Sequence, residues 1–285
     1  MAQAIEAEPL LADLPRDQAS AATVDQVGRA HDPRYVSAIV ATGQECEASN
    51  EGAWLDADTY IGPGSLEAAL HSAGGAIDAV RAALGEPGAR AFSMCRPPGH
   101  HATPTRAMGF CLFNNIAVAA CHALDSGLDR VAIVDFDVHH GNGTQDIFYE
   151  RGDVLYMSSH QYPWYPGTGA ANETGDGAGA GRTVNAPMSA GCGAAEYLEV
   201  FDDLFAPALQ SFRPELLLVS AGYDAHADDP LGGMRLRSHD FATLTARIQA
   251  WCDELCEGRS AWVLEGGYSL RGLSESVVAT LVQLA

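Results

Sequence analysis

The chain is short of positive charge, of paired cysteines and of long apolar runs, and each shortage removes a class of function. Its 285 residues carry 16 Lys+Arg against 37 Asp+Glu, for a formal net charge of −21. Such a field repels a phosphate backbone, which argues against nucleic acid as a direct partner, and it attracts cations such as polyamines or lysine-rich tails. Excess acid also keeps a protein soluble, and that plainer reading takes precedence. The seven cysteines (Cys46, Cys95, Cys111, Cys121, Cys192, Cys252, Cys256) form no CxxC pair and are odd in number. They suit buried thiols in a reducing compartment better than a disulfide framework. No segment approaches the roughly 20 apolar residues that span a bilayer. The first residues, MAQAIEAEPLLADLPRD, have neither a basic region nor a sustained apolar stretch, so a cytoplasmic location and no membrane partner are expected. No repeat or interdomain linker interrupts the chain, and one domain over residues 1–285 is expected, with self-association into a homo-oligomer left open.

What is present is an alternation. Arg130–Asp137, Glu215–Gly222 and Ser260–Gly266 enclose short Val/Leu/Ile-rich runs that end at once in Gly, Asp or His, the signature of strands buried on both faces. Ala89–Cys95 and Val154–Ser158 are weaker strand candidates. Helical patterns lie between them: one from Ser65, as cap, to Leu84, then Phe113–Ser126, Ala194–Ser211, Ser238–Glu257 and Leu273–Leu284. The order predicts a single α/β domain with a mostly parallel sheet flanked by helices, its ligands bound beyond the carboxyl ends of the strands. Gly167–Gly181 is glycine-dense but lacks the Lys-Ser/Thr ending of a phosphate-binding loop, so it reads as a shaped surface loop.

The polar residues gather where the strands end. DFDVHHGNG, Asp135 to Gly143, follows a hydrophobic run, and its acids and imidazole must find partners if buried. Alternate residues of an extended strand share a face, so Asp135, Asp137 and His139 point together. Carboxylates with an imidazole suit zinc or a similar divalent ion, although a hydrogen-bonded Asp–His pair explains an isolated DxH equally well. SAGYDAH brings Asp224 from a second strand end. Asp137, His139 and Asp224 then make three ligands with an open position, the catalytic pattern rather than the structural one, while His226 is expected in a loop role. RPPGHH sets His100 and His101 after a rigid turn, where they can transfer protons or merely hydrogen-bond. LEGGYSL puts Tyr268 behind two glycines, as an electrophilic donor or as a ring packed under a turn.

Together these segments resemble the histone deacetylase / acetylpolyamine amidohydrolase family of the arginase–deacetylase fold. The matching pieces are LDADTYIGPGS (55–65), RPPGHH (96–101), GFCLFNN (109–115), DFDVHHGNGTQ (135–145), YPGTG (165–169), SAGYDAHADDPLGG (220–233) and LEGGYSL (264–270). HHGNGTQ and LEGGY are similar to the class II enzymes and their bacterial relatives. The resemblance implies an amidohydrolase that removes acetyl or a related acyl group from an acylated amine, acyl-lysine or acetylpolyamine. It implies Zn2+, with Fe2+ as the alternative, held by Asp137, His139 and Asp224. His101 would be the general base and acid, His100 its auxiliary supported by Asp135, and Asn142 would face His101. Tyr268 would polarise the scissile carbonyl. Gly109, Phe110 and Tyr165 match the walls of the substrate tunnel, Asp58 lies near the substrate-gripping carboxylate, and a structural K+ or Na+ would take Asp135, Asp137, His139, Ser158 and Ser159.

This chain departs from the pattern in two places. The family opens with a further strand and an HPE-x-P-x-R-like loop ahead of the segment resembling Ala4–Val40, and this chain starts after it, so a missing strand or a more open pocket is expected. Polyamine-selective members carry Glu where Leu231 stands, so Leu231 fits acyl-lysine or broad-specificity members better. Two rivals share parts of the pattern. A two-metal ureohydrolase needs DxHxD, and the chain reads DVHHGNG. An acyl-lysine-binding module without turnover would lose the tyrosine, and Tyr268 is present.

Overall fold

A computed structural model describes residues 1–285. A two-residue-per-strand hairpin, β1 (Ala53–Trp54) and β2 (Tyr60–Ile61), stands apart from the sheet that organises the molecule. That sheet contains β3 (Arg90–Ser93), β4 (Val131–Asp135), β5 (Val154–Gln161), β6 (Thr183–Met188), β7 (Leu216–Ala221) and β8 (Ser260–Leu264). All its pairings are parallel, in the order β3-β8-β7-β4-β5-β6. VAIVD, LLLVSA and SAWVL form its centre because every residue in them is buried, and helices cover both faces.

Alternate residues feed two separate cores. Ala132 and Val134 of β4, Leu217 and Val219 of β7 and Trp262 of β8 pack with helices Ala194–Val200, Ala206–Phe212, Ser238–Leu255 and Leu270–Leu284. Val131 and Ile133, Leu216 and Leu218, and Ala261 and Val263 face the other way, towards helices Pro33–Ser49, Ser65–Ala83 and Asn115–Asp125. The result is a three-layer α/β/α arrangement.

The structure amends the sequence reading locally. Val154–Gln161 runs three residues past the expected end of that strand, and β6 was not expected at all. β6 contains Pro187, which an edge strand tolerates, and it pairs only with β5. Helix Pro33–Ser49 was also not anticipated. It begins on an Asp32 cap and Pro33 and buries a narrow stripe of Val36, Ile39 and Cys46. Ser65 does not cap its helix: Gly64 holds the cap position, and the Ser65 hydroxyl instead accepts from Gly62 N–H at 2.9 Å. The segment expected as one helix over 194–211 is two, joined by a π-helical turn at Phe201–Phe205.

The chain leaves β4 for β5 in one direction and leaves β7 for β8 in the other, so the strand order reverses between β4 and β7. A crevice opens at such a point beyond the strand ends. The segments after β3, β4, β7 and β8 all lead there.

Candidate active site

Asp137 and His139 follow β4, and Asp224 follows β7, so the switch point brings them together. Their ligating atoms lie within 4.8 Å of one another, and all three residues are buried. His139 Nδ1 is 3.1 Å from Asp137 Oδ1 and 3.1 Å from Asp224 Oδ2. Backbone amides orient the acids: Gly266 N–H donates to Asp137 Oδ2 at 2.8 Å and Val138 N–H to Asp224 Oδ1 at 2.9 Å. Two glycines make room. A Cβ on Gly222 would sit 2.1 Å from Asp137 Oδ2, and one on Gly266 would sit 2.1 Å from Asp224 Oδ2.

Two buried carboxylates and one imidazole nitrogen aimed at a common point fit a divalent cation. The electrostatics agree. Burial disfavours charge on His139, yet Asp224 and Asp137 push its pKa up to about 11. Burial, then the Asp137 charge, raise Asp224, whereas His100 and His139 hold Asp137 ionised against its burial. A divalent ion would take the place of the His139 proton and neutralise the acid pair.

The two histidines after β3 differ sharply. His100 Nδ1 meets Asp135 Oδ2 at 3.0 Å, and Tyr156 O–H donates to the same oxygen at 3.1 Å. Burial opposes its charge, but Asp135 and Asp137 raise its pKa to about 10. His101 Nδ1 meets Asn142 Oδ1 at 2.9 Å, while the Asn142 amide nitrogen turns to Met108 Sδ at 3.4 Å. Nδ1–H therefore donates to Asn142, and Nε2 keeps its lone pair. Burial, then the charges of His100 and His139, hold the His101 pKa well below the ordinary value. With ring centroids 4.0 Å apart, the two imidazoles are pushed in opposite directions, His100 towards the cation and His101 towards the neutral form.

Over the triad lies a cavity of about 260 Å³ lined by Asp58, His101, Gly109, Phe110, His139, Trp164, Tyr165, Pro230, Leu231 and Tyr268. Every tunnel and rim residue named from sequence is among them. Phe110 adopts φ 67°, a strained conformation for an aromatic residue, and its N–H donates to Thr59 Oγ1 at 3.1 Å. Gly109 N–H donates to Asp58 Oδ1 at 3.0 Å, so Asp58 both faces the cavity and holds the turn that walls it. Burial and the Asp58 charge raise the pKa of the Tyr165 phenol, whose oxygen is buried without a partner. Burial and the charges of Asp224 and Asp137 raise the Tyr268 phenol, which stays protonated.

Of the residues named for a monovalent ion, Asp135 and Ser158 are register partners, Ser159 Oγ is buried without a partner, and Ser158 Oγ is taken by His160 Nδ1 at 2.9 Å. His226 lies outside the triad, as expected, and accepts from Asp228 N–H at 3.1 Å.

Sequence reasoning missed two buried acids. Glu265 Oε2 accepts from Gly99 N–H (2.7 Å) and His100 N–H (3.1 Å), and its Oε1 accepts from Ser220 O–H at 3.1 Å. Asp229 bonds to the backbone at Tyr268. A carboxylate directly after a buried strand, in LEGG, was the available signal for the first; the second Asp of DDPLGG offered none.

A parallel α/β sheet with an Asp-His-Asp group at its switch point, a histidine pair beside it and a phenol above it defines the arginase–deacetylase architecture. Residues 1–284 match the histone deacetylase domain, and the chain belongs to that family. It is 46% identical over 268 residues to "Histone deacetylase 10, chloroplastic" of Oryza sativa subsp. japonica, covering 91% of this chain but 60% of the rice protein. It is 42% identical over 267 residues to the "Histone deacetylase-like amidohydrolase" of Pseudomonas aeruginosa, covering 93% of this chain and 69% of that protein. A "Probable deacetylase" of Archaeoglobus fulgidus is 43% identical over 251 residues, covering 88% and 68% respectively. A crystal structure of an HDA15 HD domain superposes with a TM-score of 0.90 at 37% identity, covering 99% of this chain and 81% of that one. No helix is long and apolar enough to cross a membrane.

Proposed function

We propose that the chain is a metal-dependent amidohydrolase that releases acetyl or a related acyl group from an acylated amine, acyl-lysine before acetylpolyamine. The observation that carries this is one cavity lined by His101, whose Nδ1 is held by Asn142 Oδ1 at 2.9 Å, by Tyr268 and by the ligand His139. Asp137, His139 and Asp224 would hold the ion, zinc or alternatively ferrous iron, with a potassium or sodium ion near Asp135 and Ser158. When bound, such an ion supplies Lewis acidity that polarises a carbonyl and lowers the pKa of water. His101 Nε2 removes a proton from the attacking water. Tyr268, kept protonated by its surroundings, donates to the carbonyl oxygen as negative charge develops there. The imidazolium of His100, anchored on Asp135, offsets that charge. The protonated His101 then gives its proton to the leaving nitrogen as the C–N bond breaks, and a carboxylate and a free amine result.

Neither rival finds support. Among the groups able to hold a metal, only the Asp-His-Asp trio appears, and His140 is engaged by Thr168 (2.8 Å) and Gln145 (3.1 Å), away from a second metal position. A binding module without turnover has no use for both a protonated phenol and a neutral base in one cavity. The test is amine release by purified, metal-quantified protein from acetyl-lysine peptide, trifluoroacetyl-lysine peptide and acetylated polyamines. About one divalent ion per chain with chelator-sensitive release is expected. Bound metal with no release on any substrate overturns the reading in favour of a binding module.

A further inference from the structure

Tyr268 carries the electrophilic hydroxyl of the proposed reaction, yet no side-chain hydrogen bond of the protein holds its ring. Its backbone is held instead. Asp229, only 7% exposed, accepts from Tyr268 N–H at 2.7 Å and Ser269 N–H at 3.0 Å through Oδ2. Its other oxygen, Oδ1, accepts from Leu231 N–H at 3.0 Å. The Leu231 carbonyl in turn accepts from Trp164 Nε1–H at 2.9 Å. Trp164, Leu231 and Tyr268 all line the cavity, so one hydrogen-bonded line runs from its rim, through a buried carboxylate, to the turn carrying the phenol. On the other side of that turn lies Gly267 at φ 137°, a conformation open to glycine and to few other residues. The chain leading into Tyr268 thus turns at a glycine, and Asp229 fixes the backbone just beyond it.

Building on the amidohydrolase reading, we propose that Asp229 is a positioning residue that couples the cavity rim to Tyr268. Substrate packed against Leu231 and Trp164 steadies the loop whose carboxylate sets the phenol over the scissile carbonyl. Part of the substrate's binding interaction is thereby expressed as kcat rather than as affinity.

The test is a double-mutant cycle of Asp229→Ala and Tyr268→Phe, with metal content and melting temperature measured for each. Asp229→Ala is expected to lower kcat on acetyl-lysine peptide roughly 10- to 100-fold with KM changed less than about 3-fold, because a misplaced group loses rate before it loses binding. In the Tyr268→Phe background the same change should lower kcat less than about 3-fold, since residues that act as a unit are non-additive. Equal losses in both backgrounds, or full kcat in Asp229→Ala, overturn the coupling. Should Asp229→Ala fail to fold, Trp164→Phe breaks the same line at an exposed position; its smaller kcat loss must likewise vanish with Tyr268→Phe, and a loss that persists overturns the coupling. The parent chain's own amine release tests the underlying reading separately. A parent chain that releases no amine overturns that reading and the coupling with it, whereas release by the parent together with either overturning outcome of the cycle sinks the coupling alone.

Discussion

The histidine arm and the tyrosine arm of the site are built on opposite principles. His100 and His101 are buried, each ring is pinned through Nδ1, and Glu265 binds the turn beneath them. Tyr268 is half-buried, follows a positive-φ glycine and is hydrogen-bonded through its backbone alone, its ring resting edge-on against Phe110. A base must carry the right proton at the right pKa, which demands a fixed electrostatic shell. A donor to a developing oxyanion needs only to stand in place, which a held backbone supplies. The same cavity thus combines a half held through its rings and a half held through its backbone.

The largest expected effect removes what both arms share. Asp137→Ala or Asp224→Ala takes one ligand from three, and turnover should fall to background together with bound metal, measured by elemental analysis of the dialysed protein. Next come the arms themselves. His101→Ala should lower kcat about 10²- to 10⁴-fold, and Tyr268→Phe about 10²- to 10³-fold, both with metal retained. Their stabilities should part company. His101→Ala strands the buried Asn142 oxygen and is expected to cost about 1–3 kcal/mol, whereas Tyr268→Phe removes a hydroxyl with no protein partner and should melt like the parent. Equal destabilisation would erase the contrast between a ring-pinned and a backbone-held arm.

A subtler change sharpens the comparison through pH. A general base works when neutral, so the acid limb of kcat/KM rises through the His101 pKa, which lies well below the ordinary 6.5. Asn142→Asp places a carboxylate on Nδ1, favours the imidazolium and should move that limb to higher pH in a pH–rate profile. Tyr268→Phe should leave it unmoved. The smallest effect belongs to the rim: Leu231→Glu should raise the ratio of acetylpolyamine to acetyl-lysine turnover while leaving metal content unchanged, and an unaltered ratio would remove Leu231 from specificity.

Much of this was legible in the sequence, for a physical reason. A central parallel strand buried on both faces must be apolar throughout, so β4, β7 and β8 announce themselves, and acids at their ends stand out. β6 hides because an edge strand can carry Thr183, Asn185 and Pro187. The Pro33–Ser49 helix hides because it buries so few large side chains. Asp229 and Glu265 hide for a deeper reason. Most of their partners are backbone N–H groups delivered by turns far away in the chain, and backbone groups have no sequence signature. Residue types singled out the triad, the histidines and the phenol that the fold brings together, but not the carboxylates that hold the turns bearing them.

The closeness of Asp137 to Asp224 also bears on folding. The two acids lie 87 positions apart in sequence and meet only when β4 and β7 are paired, so an unfolded chain offers no comparable cage. An ion that binds only the folded form stabilises it by mass action, by about 2.7 kcal/mol when its free concentration is 100 times Kd. On the proposed metal-dependent reading, the pool of free divalent metal would set how long the chain survives unfolding and proteolysis, as well as how fast it turns over.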